Sequence, residues 1–228
     1  MIAFDFDGTL VDSRALILEC HRSVFTEFNL ALPSPQDSLA LIGRSLELVL
    51  AQLAGPRAPI QEMVRAYGRV LSQLRAEPAF VERPFDGIAD LLCDLSCSPR
   101  VALGIATGHT SAAVIPALEA LGWRQYFGTV QAADMAPSKP HPGMLLQALE
   151  ATGATTEEAV FIGDTSFDME MAREAKFGAI GVAWGYHTAE RLFAAGAHRV
   201  VRSVEELRDI LRHGEISRAA FERHTQRR

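Results

Sequence analysis

The spacing of apolar residues changes character twice along this chain. Met1 to Phe4 form a short apolar run, and residues 2–5 are expected to be a buried strand. From residue 14 the period becomes helical. Leu16, Cys20, Val24 and Phe28 recur four apart, with Ala15, Ile17 and Phe25 beside them, which predicts a helix over 14–28. Pro33 and Pro35 break that pattern. Leu46, Val49, Leu50 and Leu53 predict a second helix over 45–54, stopped by Gly55-Pro56. Ile60, Val64, Tyr67 and Leu71 predict a third over 59–76. Residues 14–80 therefore carry helical signal alone, which suits a separate helical module inserted after one strand.

Past Pro84, short apolar runs alternate with helical stretches. Helices are predicted over 85–95, 111–121, 142–152, 167–175 and 204–211. Strands are predicted over 101–106, 129–131, 159–162 and 179–183, with Val200-Val201 as an added edge. The strands are apolar without alternation, so both faces of each are covered. The expected fold is α/β, a Rossmann-like parallel sheet with helices on both sides and an inserted all-helical domain. The expected boundaries are 1–13 with 84–212 for the core, 14–83 for the helical insert and 213–228 for a polar tail.

Composition narrows the functional classes. Across 228 residues the chain is 48% hydrophobic and 22% charged, ordinary for a soluble protein. Its formal charge of −6 and pI of about 5.7 argue against a nucleic-acid surface. Three cysteines do not make a disulfide framework. Cys93 and Cys97, four apart on a predicted helix, are expected to be small buried apolar residues. No basic segment precedes the first apolar run, and no run approaches the roughly 18 residues that span a membrane. A cytoplasmic protein with no membrane or nucleic-acid partner is the expectation, as a monomer or a homodimer.

In an open parallel sheet, ligands bind beyond the carboxyl ends of the strands. The first strand runs into Asp5-Phe6-Asp7-Gly8-Thr9. If that strand continued, Asp5 and Asp7 would face the same way. Like charges held that close raise each other's pKa, and a cation relieves the repulsion. Carboxylates suit Mg²⁺. The run 101–106 is followed by Thr107-Gly108-His109-Thr110, and the run 159–162 by Gly163-Asp164-Thr165-Ser166-Phe167-Asp168. Between them lies Ser138-Lys139-Pro140-His141-Pro142. Each set is weak alone. Together they bring four acids, a hydroxyl beside a glycine amide and one lysine to a single edge. Acids with a lysine and backbone amides point to a metal with a phosphate.

Asp5-Phe6-Asp7-Gly8-Thr9-Leu10-Val11-Asp12-Ser13 resembles the first motif of the haloacid dehalogenase-like (HAD) hydrolase superfamily. Thr107, Lys139 and Gly163 to Asp168 stand in order like its second, third and fourth motifs, with no departure at the catalytic positions. The helical insert resembles the cap of the phosphoglycolate phosphatase-like branch. Ile42-Gly43-Arg44-Ser45-Leu46 resembles the cap segment that reaches over substrate there, a less specific match. The resemblance implies that Asp5 is the nucleophile and Asp7 the acid/base. It implies Mg²⁺ on Asp5, the Asp7 carbonyl and Asp164, with Asp168 completing or supporting the site. Thr107 and Gly108 would hold the phosphoryl oxygens, and Lys139 would neutralise developing charge. The implied substrate is a small phosphorylated metabolite, 2-phosphoglycolate first among them.

Several residues keep two readings. Arg44 is either a bidentate contact for a substrate carboxylate or an exposed cap arginine. His109 either lines the cleft or does not. His187 is expected in a structural loop, His141 as a flank of Lys139, and Asp12 as the residue that orders the turn after the first motif. A sugar phosphomutase shares the motifs and stays open as an alternative activity. A dehalogenase is disfavoured, since it needs no second acid at position 7. A phosphoacceptor module is disfavoured by Asp7 and the helical insert.

Overall fold

In the computed structural model, which describes residues 1–212, the chain starts in β1 (Ile2–Phe4). It leaves through β2 (Val11–Asp12) into α1 (Arg14–Glu27), α2 (Pro35–Leu39), α3 (Leu46–Ala54) and α4 (Ile60–Leu74). It returns through β3 (Arg83–Pro84), which pairs antiparallel with β2. Then follow α5 (Ile88–Ser96), β4 (Leu103–Ala106), α6 (Ser111–Ala120), β5 (Thr129–Gln131), α7 (Gly143–Thr152), β6 (Val160–Gly163) and α8 (Ser166–Glu174). The last elements are β7 (Gly178–Val182), α9 (Ala189–Ala194), β8 (Arg199–Val201) and α10 (Val204–Arg212). The expected polar tail, 213–228, lies outside the described residues.

Six strands form one parallel sheet in the order β5-β4-β1-β6-β7-β8. Both faces are buried, as the unbroken apolar runs require. Ile2 and Phe4 point to one face, among Ile88 and Leu92 of α5, Leu118 of α6 and Leu207 of α10. Ala3 and Phe161 point to the other, against Leu145 of α7, Met169 of α8 and Leu192 of α9. Burying a side chain such as Phe4 or Phe161 contributes roughly 1.5–3 kcal/mol. β1 sits at the switch point, with β4 on one side and β6 on the other. The polar ends of these three strands are thereby adjacent.

α1, α3 and α4 pack on their own apolar cluster, in which Val24 and Phe25 meet Leu50, Met63 and Leu71. Where the expectations differ, the reasons are local. Pro35 starts a helix rather than only ending one: it stands at the first turn of α2, and Ser34 caps that turn by accepting from the Asp37 N–H. The short ribbon β2–β3 and the helix α9 carry too few residues for a periodic signal. Cys93 and Cys97 are exposed and Cys20 is the buried one. α5 buries Ile88, Leu91, Leu92 and Leu95, and that stripe turns both cysteines outward. Among the described residues, no helix is long and apolar enough to cross a membrane.

Candidate active site

β1 stops at Phe4, one residue before the first acid, so Asp5 and Asp7 do not share a strand face. Gly8 takes a φ of 75°, and its N–H donates to Val11 O at 2.9 Å, closing a turn that only glycine adopts without strain. The two acids then find different cations. Lys139 Nζ donates to Asp5 Oδ1 and to Asp168 Oδ1, both at 2.7 Å. Asp5 Oδ2 is buried with no hydrogen-bond partner among the described residues. Asp7 accepts from the Ser13 hydroxyl. His109 Nε2 lies 2.7 Å from Asp7 Oδ2, an ion-pair contact outside ideal hydrogen-bond alignment.

β6 ends in Gly163, which places Asp164 and the start of α8 beside Asp5. Asp164 accepts from the Thr9 hydroxyl at 3.0 Å and the Tyr186 N–H at 2.8 Å. Asp168 closes a capping box with Thr165: its Oδ2 accepts from the Thr165 N–H at 2.9 Å and hydroxyl at 2.7 Å. Carboxylate oxygens of Asp5, Asp164 and Asp168 all lie within 4.8 Å of one another. The Asp7 carboxylate belongs to a second group, with Glu82 and His109.

The electrostatics follow from this arrangement. Burial pushes the Asp5 carboxyl up to about 7, with Lys139 opposing and Asp168 adding to the rise. Burial, then Asp168 and Asp5, hold Asp164 well above the carboxylate range. Burial opposes the Lys139 charge, but Asp168 and Asp5 outweigh it and raise its pKa. For Asp7, burial is outweighed by His109 and Ser13, and its pKa falls. For His109, burial is outweighed by Asp7, and its pKa rises. Three buried carboxylates facing one lysine leave a deficit of positive charge that suits a divalent cation.

Thr107 directly follows β4 in a buried position, and its Oγ1 accepts from the His109 N–H at 3.2 Å. The backbone of Gly43 and Arg44 lies directly on Gly108: a Cβ there would stand 2.9 Å from Gly43 O and nearer still to Arg44 O. Three further contacts hold this segment down. Ser45 N–H donates to Ser138 Oγ at 2.8 Å. Gly43, with φ of 97°, leaves no room for a Cβ against Thr165 Oγ1. His187 accepts from the Ser166 N–H at 2.8 Å and, through Nε2, meets Ala40 O at 3.2 Å. His187 is thus the structural loop residue expected of it. Asp12 accepts from the Arg14 N–H at 3.0 Å and orders its turn. His141 Nδ1 accepts from the Gly143 N–H beside Lys139.

Asp5, Asp7, Gly108 and His109 line one end of a cavity of about 140 Å³ that runs under α1, α3 and α4. Arg44 also lines it, but its guanidinium donates to Gln52 at 3.0 Å and lies 5.5 Å from the Phe167 ring centre, two residues outside the lining. Thr9, Ser13, Tyr186, Ser138 and His21 were not foreseen as site residues. Thr9 and Ser13 lie inside the first acidic stretch, and Tyr186 follows β7, so strand-end position pointed to them. Nothing local marked His21.

A family model for "Haloacid dehalogenase-like hydrolase" matches residues 2–182. A protein from Dickeya dadantii described as a probable phosphatase, IndB, is 33% identical over 212 residues, 91% of each chain. A phosphoglycolate phosphatase from Agrobacterium fabrum is 30% identical over 187 residues, 80% of each chain. Among solved structures, a haloacid dehalogenase-like family hydrolase from Streptococcus pneumoniae superposes with a TM-score of 0.79 at 27% identity, covering 92% of this chain and 97% of that one.

Proposed function

The chain belongs to the haloacid dehalogenase-like hydrolase family and is a phosphatase within it, and on that footing we propose that it hydrolyses a small phosphomonoester, with Mg²⁺ bound, through an aspartyl-phosphate on Asp5. The observation that carries the mechanism is Lys139 bridging Asp5 and Asp168 while Asp5 Oδ2 stays without a partner among the described residues. One carboxylate oxygen is fixed and the other is left to react.

The donor set fits Mg²⁺: three buried carboxylates, of Asp5, Asp164 and Asp168, offer oxygen ligands within 4.8 Å of one another and face a single lysine. Asp5 and Asp164 would hold the ion, with the carbonyl of Asp7. Asp168, whose two oxygens already accept from Lys139 and Thr165, would support from behind. Bound there, the ion offsets repulsion between an anionic nucleophile and an anionic phosphate.

Asp5 Oδ2 attacks phosphorus while Lys139 fixes Oδ1 and neutralises charge. Thr107 and the Gly108 amide hold phosphoryl oxygens. Asp7, positioned by Ser13 and His109, gives a proton to the departing alcohol oxygen and later takes one from the attacking water. The helices between β2 and β3 act as a cap that opens for substrate and excludes water when closed, hinged at the β2–β3 ribbon. The proposed partner is a small phosphorylated metabolite of the cytoplasm, and the relatives make 2-phosphoglycolate the first to try. A Mg²⁺-supplemented panel of metabolite phosphates, scored for released phosphate with and without EDTA, tests this. Turnover silenced by chelator and restored by Mg²⁺ is expected; full activity in chelator, or none on any phosphomonoester, contradicts it.

A further inference from the structure

Arg75 ties the helical insert to the core. It directly follows α4, and every nitrogen of its side chain is engaged. Nε and Nη2 donate to the two oxygens of Glu82 at 2.9 and 2.6 Å. Nη1 donates to the carbonyl of Ala113 in α6 at 2.7 Å. The acid of the pair is buried, its side chain 8% exposed. Beside this bridge, α4 and α6 border a cleft of about 510 Å³. α6 offers it Ala112, Ala113, Pro116, Ala117 and Ala120, none of them long enough to fill it.

The bonds of Arg75 differ in what they join. Glu82 immediately precedes β3, one strand of the ribbon proposed as the hinge, and lies on the segment by which the chain leaves the insert. The Arg75–Glu82 pair can therefore turn with the insert, whereas the bond to Ala113 joins insert to core and has to break when they part. Glu82 grips two edges of the planar guanidinium and aims the third at α6. An oxygen of Glu82 also lies within 4.8 Å of a carboxylate oxygen of Asp7 and a ring nitrogen of His109. The bridge thus stands beside the group that moves the proton. We propose that Arg75 is a positioning residue for the phosphatase reaction: its bond to Ala113 latches the insert over Asp5 and Asp7, with Glu82 as the fixed arm. This rests on the cap motion proposed above. One hydrogen bond from a charged donor shifts an equilibrium by about ten- to a hundredfold. A latch of that size biases the cap toward closure and still lets product leave.

Pulsed electron-resonance distances between spin labels read the latch directly. The labels go on Arg65→Cys in α4 and Glu119→Cys in α6, both exposed, with Cys93→Ser and Cys97→Ser as background. With Arg75 intact, Mg²⁺ and orthovanadate are expected to shift the labels to the shorter distance. Arg75→Met combined with Glu82→Leu removes both charges, so no buried ion is left alone. Its open-to-closed ratio is expected to be at least about tenfold higher, with kcat on acetyl phosphate lower and melting curves confirming the fold. Arg75→Lys keeps the charge near Asp7 but loses the fork, and is expected to open in the same way. Unaltered closure in the folded double variant, or in Arg75→Lys, overturns the latch while the cap motion stands. A single distance under every condition with Arg75 intact overturns the cap motion and the latch together. Phosphate release from acetyl phosphate reports on the phosphatase activity separately.

Discussion

Lys139 Nζ donates to Asp5 Oδ1 at 2.7 Å, joining residues 134 apart in sequence across the floor of the site. The same nitrogen holds Asp168, so one buried cation serves two buried carboxylates. Lys139→Ala should leave both unpaired. It is expected to lower kcat by about 10²–10³, the typical effect of losing one preorganised group that stabilises developing charge. Steady-state kinetics on any turned-over substrate decide it; a loss of less than a few-fold removes Lys139 from the chemistry.

His109 keeps Asp7 ionised to lower pH than burial alone would permit. Replacing it with Ala takes away that charge, so the Asp7 carboxyl should hold its proton to higher pH. Ionised Asp7 takes the proton of the attacking water, so where breakdown of the aspartyl-phosphate limits turnover the acidic limb of the pH–kcat profile is expected to move upward in His109→Ala. A limb that stays in place shows that Asp7 does not set it.

Gly8 has no space for a side chain. A Cβ would collide with the Asp164 carboxylate and stand 2.6 Å from the Tyr186 ring, on a backbone already at φ 75°. Gly8→Ala should cost more than about 1 kcal/mol of stability. By displacing Asp164 it should also raise the Mg²⁺ concentration for half activity by about 10–100-fold. Metal titration of the folded variant checks the second effect, and an unchanged midpoint contradicts the placement of Asp164.

His21 and His187 are both held at about 4 by burial. In the unfolded chain each takes up a proton near its ordinary 6.5. As pH falls from there to about 4, the unfolded state binds protons that the folded state refuses, so stability present near neutrality is lost across that window. For His21 the loss is about 3 kcal/mol at most, at roughly 1.4 kcal/mol per pH unit. Melting temperature should fall over that range, and less steeply in His21→Phe. Parallel curves for the two proteins contradict it.

Strand-end position made most of the floor legible in the chain itself. Asp5, Thr107 and Asp164 each follow an apolar run, and three parallel strands meeting at β1 bring them together. Lys139 was legible through its place between those runs. What escaped depends on contacts that no period encodes. Pro35 breaks one helix and begins another, and only Ser34 with Asp37 distinguishes the two. Cys93 of α5 and Cys97 just past its end face outward because four larger residues claim the buried stripe. His21 sits one residue from Cys20 on a helix whose apolar face is continuous, and its place in the cavity lining shows only when α3 and α4 fold over it.

The central claim is that Asp5 carries the phosphoryl group. Acid quench during turnover of a labelled phosphomonoester in Mg²⁺, followed by peptide mass spectrometry, tests it most directly. Label on the peptide at Asp5, absent in Asp5→Asn along with phosphate release, is the predicted result. Label on another residue, or appreciable turnover by Asp5→Asn, would contradict it.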